Sequence, residues 1–263
     1  MSGLKTSLAA WSLHKMFFAK QIDQLGMLEL CGELGIKGFE LVNTFFPSPQ
    51  YAYLRHMKRR GDELGIELPL IMCDLEGDLG HVEREKRVQA ARNHRKWVDI
   101  AAVLGCNAIR CNARGDESDP VTMRECVAEG LGHLLDYADG TGVDILIENH
   151  GGLSSDADWL VSLIELVGSP RLATLPDFGN FPPEADRYEG VAKMMPHAKA
   201  VSAKCHDFGP DGQETTIDFA RMLEIVRSAG YQGFVGIEFE GERLSEREGI
   251  LAAKTLLEQL GVE

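Results

Sequence analysis

Positive charge is scarce in this sequence. Against 41 aspartates and glutamates it sets 27 lysines and arginines, a formal net charge of −14. Such a surface repels polyanions, so neither nucleic acid nor an anionic membrane is expected as a partner. No apolar run approaches the roughly 20 residues of a membrane span. Residues 1–8 (Met-Ser-Gly-Leu-Lys-Thr-Ser-Leu) lack the charged and apolar regions of a secretory signal, so a cytoplasmic location is expected. Cysteines 31, 73, 106, 111, 126 and 205 form no Cys-x-x-Cys pair and no regular framework; reduced core residues are expected. Also missing are the Gly-x-Gly-x-x-Gly loop of dinucleotide folds and the Gly-x-x-x-x-Gly-Lys loop that cradles phosphates.

What is present reads as a soluble globular protein, with 44% hydrophobic and 26% charged residues. Short runs rich in branched apolar residues predict strands at 4–11, 37–43, 66–73, 107–112, 143–148, 171–178, 200–207 and 234–239. Helical spacing fills the intervals, at 27–34, 50–64, 82–104, 121–137, 156–167, 190–195, 217–229 and 245–260. Gly35 is placed to end the first of these helices. The basic residues on 82–104 sit opposite its apolar stripe and read as a solvated face. Strand-helix alternation implies parallel pairing. Eight units in one chain of 263 residues, with no linker or shift in composition, predict a single α/β domain over 1–263, a (β/α)8 TIM barrel.

The strongest signal is a polar residue that recurs where strands end. The run Val-Asp-Ile-Leu-Ile-Glu-Asn-His-Gly-Gly (143–152) drives into Glu148. Residues 171–178 end around Asp177, 200–207 around His206, and 234–239 around Glu238, each about thirty residues from the last, one strand-helix unit. In barrels of this kind, side chains at the C-terminal ends of several strands converge on one site. Alternation places Glu238 on the inner side of its strand with Gly236 and Glu240, and Ser202, Lys204 and His206 together on theirs.

Glu148, Asp177, His206 and Glu238 are therefore expected to hold one divalent metal ion. An oxygen-rich set with a single imidazole suits Mn²⁺ or Mg²⁺, with Co²⁺ or Zn²⁺ as alternatives. A carboxylate on each side of a bound keto-sugar, with Lys204 facing the developing enediolate, would move a proton next to a carbonyl. That is the chemistry of sugar isomerisation and epimerisation.

At these residues the chain resembles the xylose isomerase-like TIM barrel superfamily, which includes D-tagatose 3-epimerases, hydroxypyruvate isomerases, inosose dehydratases and endonuclease IV. The resemblance spans nearly the whole chain and is carried by Gly38-Phe39-Glu40-Leu41, Ile147-Glu148-Asn149-His150-Gly151-Gly152, Pro176-Asp177-Phe178-Gly179-Asn180 and Gly236-Ile237-Glu238-Phe239-Glu240-Gly241. It implies metal binding by Glu148, Asp177 and Glu238, and acid–base roles for Glu148 and Glu238. Arg110, His150, Asn180 and Glu40 are then expected to contact the substrate.

Two departures stand out. The family's strand-seven ligand lies in a His-x-Lys-Asp-like segment, and superposition puts Ser202, not His206, at the histidine position. Asn180 stands where the epimerases often present a histidine. The expected activity is a metal-dependent isomerase or epimerase of a small, unphosphorylated sugar or keto-sugar. The alternatives are a lyase or dehydratase using the same site on a keto-sugar or cyclitol, an endonuclease IV-like nuclease, and a non-catalytic sugar-binding protein. The sequence is compatible with a homo-oligomer.

Overall fold

A computed structural model describes residues 3–116 and 118–263. Its strands are β1 (Lys5–Ala9), β2 (Gly38–Val42), β3 (Leu70–Met72), β4 (Ala108–Cys111), β5 (Asp144–Glu148), β6 (Leu172–Leu175), β7 (Val201–Cys205) and β8 (Phe234–Phe239). They form one sheet in the order β6-β5-β4-β3-β2-β1-β8-β7, every pair parallel. Isolated parallel bridges, Thr174↔Ala198 and Asp177↔Ser202, bring β6 round to β7. Helical segments follow every strand, so the expected (β/α)8 barrel is the fold.

Register separates two faces. Ser7 pairs with Gly38 and Gly236, Met72 with Arg110, Arg110 with Leu146, and Lys204 with Glu238, which strings these residues along the inner face. The intervening positions, among them Leu8, Phe39, Ile109, Ile147 and Ile237, are fully buried under the helices and form the main core. The inner face is small and polar at its lower end. A Cβ at Gly236 would lie 2.4 Å from a Glu40 oxygen, and one at Gly38 would lie 2.7 Å from the Ser7 Cβ. Glycine is required at both: the Glu40 carboxylate fills the space beside Gly236, and the Phe234 ring and Ser7 fill that beside Gly38.

Aspartates start the outer helices. Asp119, Asp156, Asp186 and Asp218 accept backbone N–H bonds at the N-termini of Pro120–Ala138, Ala157–Val167, Arg187–Met194 and Phe219–Ser228. Ser245 and Glu248 form a capping box on Glu246–Gln259. Such caps stabilise by about 1 kcal/mol each, and they fix where each strand-to-helix loop ends. Gly35, at φ +71°, follows the end of Gln24–Glu33 as expected. On Arg84–Leu104, Arg84 and Arg87 pair with Glu129, Lys86 with Glu83, and Lys96 with Glu76, so carboxylates already occupy these cations. The six cysteines are free, and five of them are buried. Among the described residues, no helix is long and apolar enough to cross a membrane.

Several strands are shorter than the apolar runs predict. β1 stops at Ala9, β3 begins only at Leu70, β6 stops at Leu175 before Pro176, and β7 stops at Cys205. Pro176 has no N–H to give the ladder. Asp177 and His206 therefore belong to the loops that roof the barrel, not to the strands.

Candidate active site

Glu148, the last residue of β5, and Glu238, within β8, point inward from strands three apart round the ring. Asp177 joins them from the loop after β6. One carboxylate oxygen from each lies within 4.8 Å of the others, and all three residues are buried. Asp177 is held by a reciprocal clamp: Asn149 Nδ2 donates to its carbonyl (3.0 Å) and its N–H donates to Asn149 Oδ1 (2.7 Å). Its Oδ1 accepts the N–H groups of Gly179 (2.8 Å) and Asn180 (2.7 Å). Its Oδ2 is buried with no hydrogen-bond partner.

Two cations enter the cluster. Lys204 Nζ lies 3.1 Å from Glu238 and 3.3 Å from Glu240, and donates to Asn180 Oδ1 at 2.9 Å. Asn180 Nδ2 in turn donates to Glu148 (3.1 Å), so one amide links the lysine to the far carboxylate. Arg110 Nη1 donates to Asp74 (2.9 Å), and Asn112 Nδ2 donates to the same oxygen (2.7 Å).

Charge crowding shows in the proton affinities. Burial pushes the Glu148 carboxyl well above the ordinary carboxylate range; Arg110 opposes this, and Glu238 and Asp177 add to it. Burial likewise pushes Glu238 up to about 7, with Lys204 opposing and Asp177 adding. Lys204 is raised despite its burial, because Glu238, Asp177 and Glu240 surround it, so its ammonium stays charged. Burial, with Arg110 nearby, lowers His150 to about 4, and its imidazole is neutral at pH 7.

A cavity of about 510 Å³ opens above these groups. Its lining mixes polar side chains, Arg110, His150, Lys204 and Glu238, with the apolar Trp11, Phe18, Met72 and Leu75. Trp11 stacks on Phe45 with ring centroids 5.8 Å apart, which fixes its place. Leu75 stands at the rim with φ +63° and is almost wholly exposed.

The structure thus brings together Glu148, Asp177, Glu238, Lys204, Asn180, Arg110 and His150. It does not bring two expected residues. His206 lies outside the carboxylate group. It follows the end of β7, and its N–H donates to Glu214 in the same loop (3.2 Å). The inner-face position beside Asp177 belongs to Ser202. Glu40 is turned the other way: Ser7 donates to it, and it lines a separate cavity of about 620 Å³ at the N-terminal ends of the strands. Asp74, Glu240 and Trp11 were not predicted. Asp74 carries the same signal as Glu148, a carboxylate just after an apolar strand; Trp11 carries none, because its place follows from the turn after β1.

The sequence profile of a family described as xylose isomerase-like TIM barrel matches residues 28–260. No curated protein sequence matches. Among solved structures, a D-tagatose 3-epimerase-like protein is similar over 98% of each chain, with 17% identity and a TM-score of 0.78. A 3-keto-D-glucoside 4-epimerase from E. coli is similar over 98% of this chain and 100% of its own, with 15% identity and a TM-score of 0.77. A sugar phosphate isomerase/epimerase from Parabacteroides distasonis covers 98% and 94%, with 15% identity and a TM-score of 0.72. At such identities the likeness establishes the fold.

Proposed function

The chain belongs to the xylose isomerase-like TIM barrel family, and from that premise we propose that it is a divalent-metal-dependent isomerase or epimerase of a small, unphosphorylated keto-sugar. The observation that carries this reading is the buried triad Glu148, Asp177 and Glu238 beneath a cavity at the C-terminal end of the barrel.

The donor set fits a hard cation. Oxygens on opposite sides of one ion, each 2.0–2.6 Å from it, stand about 4–5 Å apart, the scale of this triad. Asp177 Oδ2 is a buried acceptor with no partner, as a ligand atom held ready for an ion would be. Five carboxylates (Asp74, Glu148, Asp177, Glu238, Glu240) surround two cations (Arg110, Lys204), so the site is short of positive charge. When bound, the ion would polarise the ketose carbonyl and its neighbouring hydroxyl.

The chain's own residues do the rest. Glu148 and Glu238 reach the site from different strands, so one carboxylate can remove a proton next to the carbonyl while the other returns one to the opposite side. Lys204 places an ammonium beside Glu238, where it lowers the cost of negative charge developing on the substrate oxygens. Asn180 holds Lys204 and Glu148 in fixed relation. The apolar lining side chains, Trp11, Phe18, Met72 and Leu75, limit water around the sugar.

Solvent-deuterium incorporation into free ketohexoses such as D-tagatose and D-fructose tests the proposal. Exchange is expected with Mn²⁺ or Mg²⁺, lost on chelation, and reduced at least a hundredfold in Glu148→Gln and Glu238→Gln. Exchange that persists unchanged in chelator would remove the metal from the reading.

A further inference from the structure

The carboxylate cluster has an uncharged neighbour with nothing to bond. Ser202 Oγ is buried and has no hydrogen-bond partner. A buried hydroxyl left so forfeits its hydration without compensation and needs an explanation. Two placements supply it. Ser202 is bridged directly to Asp177 across the β6–β7 joint, and Asp177 Oδ2, like Glu148 Oε2, is a buried oxygen without a partner. Ser202 also shares the inner face of β7 with Lys204, two residues on, whose Nζ reaches Glu238. The orphaned hydroxyl thus faces the same interior as the three carboxylates.

Nitrogen and sulfur donors are kept away. The carboxylate group includes no histidine or cysteine among the described residues. His150 Nδ1 faces Arg114 at 3.5 Å. Cys205 lies on the outer side of β7, with its thiol donating to the Glu238 carbonyl (3.8 Å).

We propose that Ser202 Oγ is the fourth protein donor of the cation site, which makes it an all-oxygen set of three carboxylates and one hydroxyl, suited to a hard ion such as Mg²⁺ or Mn²⁺. This rests on the cation reading of the previous subsection. Formally, the five carboxylates around Lys204 and Arg110 leave three negative charges for a dication to offset, and a hydroxyl, like a neutral imidazole, would leave that balance unchanged. The small hydroxyl also leaves more open space at the ion than a ring would.

Mn²⁺ serves as the probe, read by titration and by the electron spin-echo modulation of the bound ion. The wild-type complex is expected to bind Mn²⁺ and show no directly ligated ¹⁴N. Ser202→Ala should weaken Mn²⁺ about tenfold, and Ser202→Thr should restore it. Ser202→His should introduce ¹⁴N modulation and raise Zn²⁺ affinity at least tenfold while Mn²⁺ affinity stays within about threefold, because imidazole favours Zn²⁺. Ligated ¹⁴N in the wild type, or undiminished Mn²⁺ affinity in Ser202→Ala, would overturn this inference and leave the cation reading standing. No Mn²⁺ binding by the wild-type chain, or binding that survives Glu148→Ala/Asp177→Ala, would overturn the cation reading itself.

Discussion

Arg110 Nε lies 2.9 Å from Glu148 Oε2, yet neither atom has a hydrogen-bond partner. The contact is one of charge without directional bonding. It neutralises part of a buried carboxylate and leaves the lone pairs of that oxygen free for something else.

Removing the guanidinium exposes how much of the fold depends on that neutralisation. Arg110→Met should destabilise by about 3–5 kcal/mol in denaturant unfolding, because Glu148 and Asp74 lose their buried counter-charge. Arg110→Met/Glu148→Met should cost clearly less than the sum of its parts. Additive losses would show that the two residues do not act as a pair.

Glu40 predicts a pH dependence with an unusual sign. Burial raises its carboxyl to about 7; the Ser7 hydrogen bond opposes this and Glu238 adds to it. Between about pH 4.5 and 7 the folded chain holds a proton that the unfolded chain has released, so this group's contribution to stability falls as pH rises. Glu40→Gln should therefore be near neutral at pH 4.5 and stabilise by up to about 3 kcal/mol at pH 8. Equal Tm shifts at both pH values would refute it.

Two glycines of one helix should behave oppositely. A Cβ at Gly130 would lie 2.1 Å from the Leu79 carbonyl oxygen, a backbone atom with no rotamer to yield. At Gly132 nothing lies within 4 Å. Gly132→Ala should stabilise by about 0.5–1 kcal/mol through helix propensity, and Gly130→Ala should destabilise by more than that gain. Thermal unfolding of the two variants decides.

Phosphorylated sugars should not be preferred. In the loops after β7 and β8, where barrels often bind phosphate, Arg243 is taken by Asp207 at 3.0 Å. Arg110 is engaged by Asp74 and Glu148, which leaves Arg114 as a cation at the cavity rim. A kcat/KM advantage above a hundredfold for the phosphorylated member of a matched ketose pair, about 2.7 kcal/mol, would reverse this expectation.

The barrel was legible because each strand is a compact apolar run and each carboxylate interrupts one. Glu148 and Glu238 follow from that pattern alone. Alternation names the face a residue occupies but not its depth, and depth separates Glu40 from Glu238. The register Ala9↔Glu40 and the space above Gly236 let the Glu40 side chain turn down to Ser7, and no local feature of the sequence encodes that. His206 fails for a related reason. A strand that stops at Cys205 no longer carries the alternation that put His206 beside Lys204.

Between β6 and β7 the wall is carried by few bonds: Lys199 N–H to Thr174 O (3.1 Å), Ser202 N–H to Pro176 O (2.9 Å) and Phe178 N–H to Ser202 O (3.0 Å). Asp177 and Ser202 are the two banks of that gap. A ligand that grips both is also a rivet through the hoop, so its affinity and the closing of the hoop are one linked equilibrium. At a hundred times its Kd such a ligand holds the ring shut by about 2.7 kcal/mol, and a distant substitution that slackens the gap weakens the ligand without touching it.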